Sequence, residues 1–151
     1  MNDKTEIDRL SQRFYSLFTN RGGTTPNVAG IHELFIPEGV IVKTCGEIPA
    51  VYDLTGFIEP RERLLRDGEL VDFEEEEIRE RTSIMGYVAQ RFSVYRKSGI
   101  LRGEPFEGRG IKTMQFVRTH GSWKLSAVAW DDEREGFALD LDGFEDARGM
   151  S

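Results

Sequence analysis

The first half of the chain carries apolar residues at the three- and four-residue spacing of amphipathic helices. The first stripe ends at Gly22 and consists of Ile7, Leu10, Phe14, Leu17 and Phe18. A second, shorter stripe covers residues 28–35, and a third covers residues 54–65. Pro60 lies inside the third stripe, and because proline removes a helical hydrogen bond we expect a break there. The pattern predicts three helices.

A period of two replaces the helical spacing after residue 70. It predicts long strands over residues 72–84, 87–95, 111–119 and 123–130, and a β-branched run predicts another strand over residues 40–45. Helices come first and a meander of strands follows, without the alternation of strands and helices that builds parallel sheets. The fold class predicted is α+β, with an antiparallel sheet of four to six strands.

The last predicted strand is apolar on both faces. Strand alternation places Ser126, Val128 and Trp130 on one face, and the opposite face then carries Trp123, Leu125, Ala127 and Ala129. A strand buried on both sides fits a sheet whose inner face packs on helices and whose outer face packs on another subunit. The pattern therefore predicts a homodimer formed through the outer sheet face.

Composition narrows the classes of partner. The chain has 151 residues and a net charge of -7, with no basic stripe, so its surface should repel nucleic acids and anionic membranes. It shows neither a bilayer-spanning apolar run nor a secretory signal, which predicts a cytoplasmic protein. Cys45 is the single cysteine, so no intrachain disulfide is possible.

The end of the chain differs from the rest. Residues 133–151 are acidic and glycine-rich, with only scattered apolar side chains. We therefore predict one domain over residues 1–132, followed by a loosely ordered tail over residues 133–151.

The order of the elements resembles the nuclear transport factor 2-like superfamily, nearest its polyketide-cyclase-like (SnoaL-like) and ketosteroid-isomerase-like branches. The resemblance is carried by the long first helix, by the passage from Leu34-Phe35-Ile36-Pro37-Glu38-Gly39-Val40 into a strand, and by a meander that ends at Trp130. It implies a curved sheet wrapped around the three N-terminal helices as a cone. It also implies an apolar pocket inside the cone and a homodimer through the outer face.

The expected ligand-binding residues come from the helices and from the inner face of the sheet. From the helices we expect Phe14, Phe18, Phe35 and Phe57. From the strands we expect Met114, Phe116 and Trp130, together with Tyr95 as a hydrogen-bonding group. Tyrosines that share one face of a strand, as Tyr87 and Tyr95 do, are also typical of cross-strand packing. The ligand predicted is a small apolar molecule.

The resemblance also implies where catalytic groups would lie. At the three ketosteroid-isomerase positions this chain has Phe14, Thr44 and Met114, none of which supplies the chemistry of that branch. The cyclase-like branch uses an acid and often a histidine, for which the candidates are Asp131, Asp132 and His32. Two functions follow: a non-catalytic small-ligand-binding protein, or a cofactor-independent cyclase or isomerase that moves a proton with Asp132 or His32.

No metal or cofactor is predicted. The acidic run at residues 74–77 alternates between the two faces of a strand, which favours a charged strand edge over a metal site. The glycines at 103, 108 and 110 are expected in a loop between strands, not between a strand and a helix, so they do not form a phosphate cradle.

Overall fold

The computed structural model describes residues 2–146 and contains three α-helices: α1 Asp3–Ser16, α2 Ile31–Leu34 and α3 Leu54–Arg66. The side chain of Asn2 caps α1 by accepting from the Thr5 amide at 2.8 Å, and Asp53 caps α3 by accepting from the Gly56 amide at 2.7 Å. Between residues 2 and 146, no helix has both the length and the apolar content needed to cross a bilayer.

Helix α3 runs through Pro60 without interruption, so the expected break is absent. Phe57, Ile58 and Leu65 are buried on either side of the proline. Their packing against the core stabilises the helix, which offsets the single backbone hydrogen bond that the proline removes.

In the described residues 2–146, seven strands form one sheet, and five of them are long. The strands are β1 Phe35–Lys43, β2 Ala50–Tyr52, β3 Leu70–Met85, β4 Val88–Leu101, β5 Glu104–Thr119, β6 Ser122–Asp132 and β7 Glu145–Asp146. Their order across the sheet is β2-β1-β6-β5-β4-β3-β7. The predicted α+β class, with a curved sheet and three helices, is confirmed.

One strand pair departs from the antiparallel prediction, because β1 and β6 run parallel. The four long strands β3 to β6 follow one another through tight turns, which forces neighbours to be antiparallel. β1 reaches β6 only after α3 and four strands have intervened, so no turn dictates its direction.

Strand β5 begins earlier than the sequence predicts. It starts at Glu104, so Gly108 and Gly110 are strand residues rather than loop residues. Gly110 pairs with Tyr95 on one side and Asp132 on the other. Gly110 therefore lies between Tyr95 and Asp132 in the sheet.

A β-bulge at Ser126 changes the face assignment of β6. Phe116 pairs with Leu125, but the neighbouring Gln115 pairs with Ala127, so Ser126 is an extra residue. The face assignment predicted from strict alternation is therefore wrong for the residues of β6 that precede Ser126. Trp123 and Leu125 are buried in the core together with Val128, and they do not face outward.

Part of the predicted tail packs against the sheet. Arg134 and Phe137 form an isolated bridge, and β7 pairs with Arg79 and Glu80 of β3. The Phe144 ring lies 6.4 Å from the ring of Phe92, and the Arg81 guanidinium lies 4.9 Å from each of these rings. Residues 147–151 lie outside the described part of the chain.

Candidate functional site

A pocket of about 490 Å³ lies between the helices α1 and α3 and the inner face of the sheet. Aromatic side chains supply much of its wall: Phe14, Phe18, Tyr52, Phe57, Phe73, Phe106 and Trp130. The Phe57 ring is 5.9 Å from those of Phe18 and Trp130, and 5.7 Å from that of Tyr52, all in edge-to-face geometry. These contacts hold the wall in one arrangement.

Four of the predicted ligand-binding residues line the pocket: Phe14, Phe18, Phe57 and Trp130. The other four lie behind the lining and are fully buried: Phe35, Tyr95, Met114 and Phe116. Phe35 is 5.9 Å from the ring of Phe14 and supports it from behind. The sequence pattern identified that these side chains point inward, but not that they lie beneath the pocket wall instead of forming it.

Two ion pairs form part of the polar lining. Lys112 Nζ lies 3.0 Å from Glu75 Oε1, and Lys97 Nζ lies 2.8 Å from Asp132 Oδ2. The members come from β3, β4, β5 and β6, and each occupies an inward position in the strand alternation. Burial lowers the pKa of Lys112, although the Glu75 carboxylate opposes this change.

Tyr95 crosses over Gly110 to reach Asp132. The three residues are paired neighbours on β4, β5 and β6, and the Tyr95 hydroxyl donates a hydrogen bond to Asp132 Oδ1. A Cβ atom at position 110 would overlap the Tyr95 hydroxyl and the ring carbon that bears it. Glycine is therefore required between them.

Asp132 is held as a carboxylate. Burial alone would raise its pKa, but the hydrogen bonds from Lys97 and Tyr95 outweigh burial and lower the pKa below its ordinary value. The Cys45 thiol donates a further hydrogen bond to Oδ2 at 3.3 Å. Burial, together with the Asp132 charge, raises the pKa of that thiol, so Cys45 is not an activated nucleophile.

We expect Asp132→Asn to lower the free energy of unfolding by about 1–3 kcal/mol at pH 7, because the Lys97 and Tyr95 donors lose a charged acceptor. The folded-state pKa lies below the ordinary value of 3.8. The stabilisation is therefore present above about pH 4 and is lost as the pH falls through the folded-state pKa. Urea unfolding at pH 7 and pH 3 measures the difference. Asp131→Asn, on the outer face of the same strand, is the control, and equal effects of both substitutions would contradict the assignment.

Arg61 and Lys43 complete the charged lining. The Arg61 guanidinium carbon lies 3.8 Å from the centre of the Phe57 ring and 5.5 Å from those of Tyr52 and Trp130. Burial lowers the pKa of Arg61, which still remains a cation at neutral pH.

His32 lies away from this pocket. It is exposed on the four-residue helix α2, whose inward side is formed by the buried Ile31 and Leu34. The structure thus separates the two predicted catalytic residues, since Asp132 lines the pocket and His32 does not.

The basic residues of the lining were not predicted from the sequence. Lys112 lies two positions before the inward-facing Met114, so strand alternation places it inward as well. Arg61 follows Phe57 by four positions on α3, which places both on one helix face. Both signals are present in the sequence, but charged side chains at these positions are normally assigned to the surface.

A buried ionic network occupies the other part of the inner sheet face, under α1. The Arg91 side chain is 2% exposed and donates to Glu77 at 2.5 and 3.0 Å and to Asp8 at 2.7 Å. Ser93 donates to Glu77 at 2.5 Å and lies 2.7 Å from the Tyr15 hydroxyl. Among residues 2–146, no cluster of three metal-ligating side chains is arranged to hold an ion.

Comparisons with known proteins place this arrangement in a known fold. No protein-family profile matches the sequence, and no curated protein matches it either. A Prochlorococcus marinus structure described as an NTF2-like protein of unknown function is similar, with a TM-score of 0.70 and 15% identity over 93% of this chain and 98% of that one. A cystatin-like-fold protein of unknown function from Nostoc punctiforme gives a TM-score of 0.65 at 17% identity, over 87% of this chain and 91% of that one.

A Xanthomonas campestris structure provisionally assigned as a calcium/calmodulin-dependent protein kinase II association domain gives a TM-score of 0.68 at 13% identity, over 89% and 91% of the two chains. The fold is NTF2-like, or cystatin-like. Identities this low establish the fold alone, so the chemistry must be argued from the residues of the pocket.

Proposed function

We propose that this NTF2-like chain binds a small, mostly apolar molecule in its aromatic-walled pocket and does not transform it. The observation that carries the proposal is the pocket itself. Its volume of about 490 Å³ lies in the range of small-molecule sites, and its lining combines apolar walls with a few buried polar groups. The edge-to-face contacts among Phe18, Phe57 and Trp130 support a preformed cavity.

The alternative, a cofactor-independent cyclase or isomerase using Asp132 or His32, has less support. A proton-transfer group works best when its pKa lies near the working pH. Asp132 has a lowered pKa and accepts hydrogen bonds from three donors, and His32 is exposed outside the pocket.

Filling the pocket tests the binding proposal. Leu64→Trp places a large ring at a half-buried lining position of α3. With the neutral fluorescent probe N-phenyl-1-naphthylamine, we expect the substitution to weaken binding at least ~10-fold, a loss of about 1.4 kcal/mol. Arg66→Trp, on the exposed side of the same helix, is the matched control. Saturable binding that both variants leave unchanged would overturn the proposed site.

The homodimer stays a prediction, and its candidate surface is different from the one expected. Trp123 and Leu125 are buried inside, whereas the outer face of β1 and β6 carries an apolar patch of Val40, Val42, Ala127 and Ala129. Val40 is 37% exposed. We propose this patch as the surface on which a second copy of the chain packs.

A further inference from the structure

We infer that the ligand of this pocket is an anion: an apolar, ring-bearing body with one acidic group that Lys43 and Arg61 bind. The inference rests on the proposed ligand-binding function and adds the chemical class of the ligand. It is carried by the charges that the pocket leaves uncompensated.

The pocket lining has more cations than carboxylates. Its cations are Lys43, Arg61, Lys97 and Lys112, and its carboxylates are Glu75 and Asp132. Four cations and two carboxylates leave an excess of two positive charges, in a chain whose net charge is -7. The two ion pairs, Lys112 with Glu75 and Lys97 with Asp132, use both carboxylates and leave Lys43 and Arg61.

Arg61 lacks a carboxylate partner in a site that removes much of its hydration. No carboxylate oxygen of residues 2–144 lies within 4 Å of its guanidinium, and Glu75 acts on it only at longer range. The Phe57 ring covers one face of the guanidinium. The contact between a cation and an aromatic face contributes roughly 0.5–2 kcal/mol of interaction free energy. A charge-assisted hydrogen bond to a carboxylate is a stronger interaction. Tyr52 also interacts with the guanidinium, and the remaining N–H donors along its edge can bind an acidic group.

Lys43 supplies the second positive charge. It is the last residue of β1, pairs in register with Trp130, and lines the same pocket. Within the described part of the chain, its ammonium makes no side-chain hydrogen bond or ion pair. Since Trp130 also lies beside Arg61, both cations border one aromatic wall. An acidic group held between them would place the attached rings against Phe57 and Trp130.

A pair of probes with one ring skeleton tests the inference. 8-Anilino-1-naphthalenesulfonate carries a sulfonate that N-phenyl-1-naphthylamine lacks, so the two dyes report the contribution of the anionic group. We expect the wild-type protein to bind the sulfonate at least ~10-fold more tightly, as judged by fluorescence titration at low salt. In Lys43→Gln/Arg61→Gln we expect this preference, the ratio of the two affinities, to disappear, because only the sulfonate loses charged partners. Arg61→Lys, which keeps the charge, should retain part of the preference.

Arg66→Gln, at an exposed position of the same helix, is the control and should leave the preference intact. Saturable binding of the neutral dye shows that the double variant keeps its pocket. Equal wild-type affinity for the two dyes, with binding still blocked by Leu64→Trp, would overturn the anion inference and leave the proposed function standing. Binding of either dye that Leu64→Trp leaves unaffected would instead overturn the proposed function.

Discussion

Replacing Arg91 with methionine is expected to lower the free energy of unfolding by about 3–5 kcal/mol. The guanidinium is 2% exposed and compensates the buried carboxylates of Glu77 and Glu80, while also binding Asp8. Methionine keeps the apolar stem but removes every donor, so at least one buried carboxylate loses its partner. The expected loss is a large share of the stability of a single domain.

Arg96→Met is the matched control for this prediction. Arg96 lies on the same strand and pairs with Glu76 of β3, but its side chain is 54% exposed, so its loss should cost less than about 1 kcal/mol. Urea unfolding followed by circular dichroism measures both. If the Arg91 variant does not fold, the double variant Arg91→Met/Glu77→Met should restore folding, because it removes the unpaired charge as well. Equal small losses for Arg91 and Arg96 would contradict the importance of the network.

Replacing Gly110 with alanine is expected to cost about 3 kcal/mol. The new methyl group would overlap the Tyr95 hydroxyl and approach the Asp131 carbonyl oxygen to 2.7 Å. Tyr95 is fully buried and cannot move aside without losing its hydrogen bond to Asp132. The substitution should therefore also disturb the Lys97–Asp132 pair at the pocket.

Gly108→Ala separates this steric effect from the general effect of adding a methyl group to a strand. Gly108 faces the same side of β5, but a Cβ atom there would lie 3.9 Å from Lys97 Cε, an ordinary contact. We expect Gly108→Ala to change the free energy of unfolding by less than about 1 kcal/mol. The expected change is an increase, because alanine lowers the conformational entropy of the unfolded chain. Thermal unfolding of the two variants is the measurement, and similar losses for both would show that Tyr95 is not the obstacle.

Much of the fold could be predicted because periodicity reports which side of an element is buried. The aromatic stripe of α1 and the alternation around Met114 and Phe116 gave the correct inward faces. The bulge at Ser126 could not be predicted, because Ser126, Ala127 and Ala129 are all small and none of them shows which side faces the core. One extra residue was enough to reverse the assignment of Trp123 and Leu125.

The site was predicted less completely than the fold. Aromatic side chains such as Phe57 and Trp130 identify a wall from the sequence, because their size commits them to the interior. The carboxylate partners of Lys112 and Arg91 are Glu75 and Glu77 of β3, which the assembled sheet rather than a local motif brings within reach. Glu75 pairs in register with Lys97 and Glu77 with Tyr95, so neither lies directly opposite the cation it binds. Local patterns contain no information on how the strands align, so Lys112 and its partner Glu75 were not identified as pocket residues.

The parallel pairing of β1 with β6 has a consequence for the order of folding. The Thr44 hydroxyl donates to the Trp130 carbonyl at 2.8 Å across 86 positions of sequence, and Lys43 is paired with Trp130 beside it. A chain emerging from the ribosome must therefore have released Trp130 before these two walls of the pocket can meet. Closing so long a loop is entropically costly, and contacts of this separation are typical of slowly folding domains. The pocket is thus among the last features of the molecule to form.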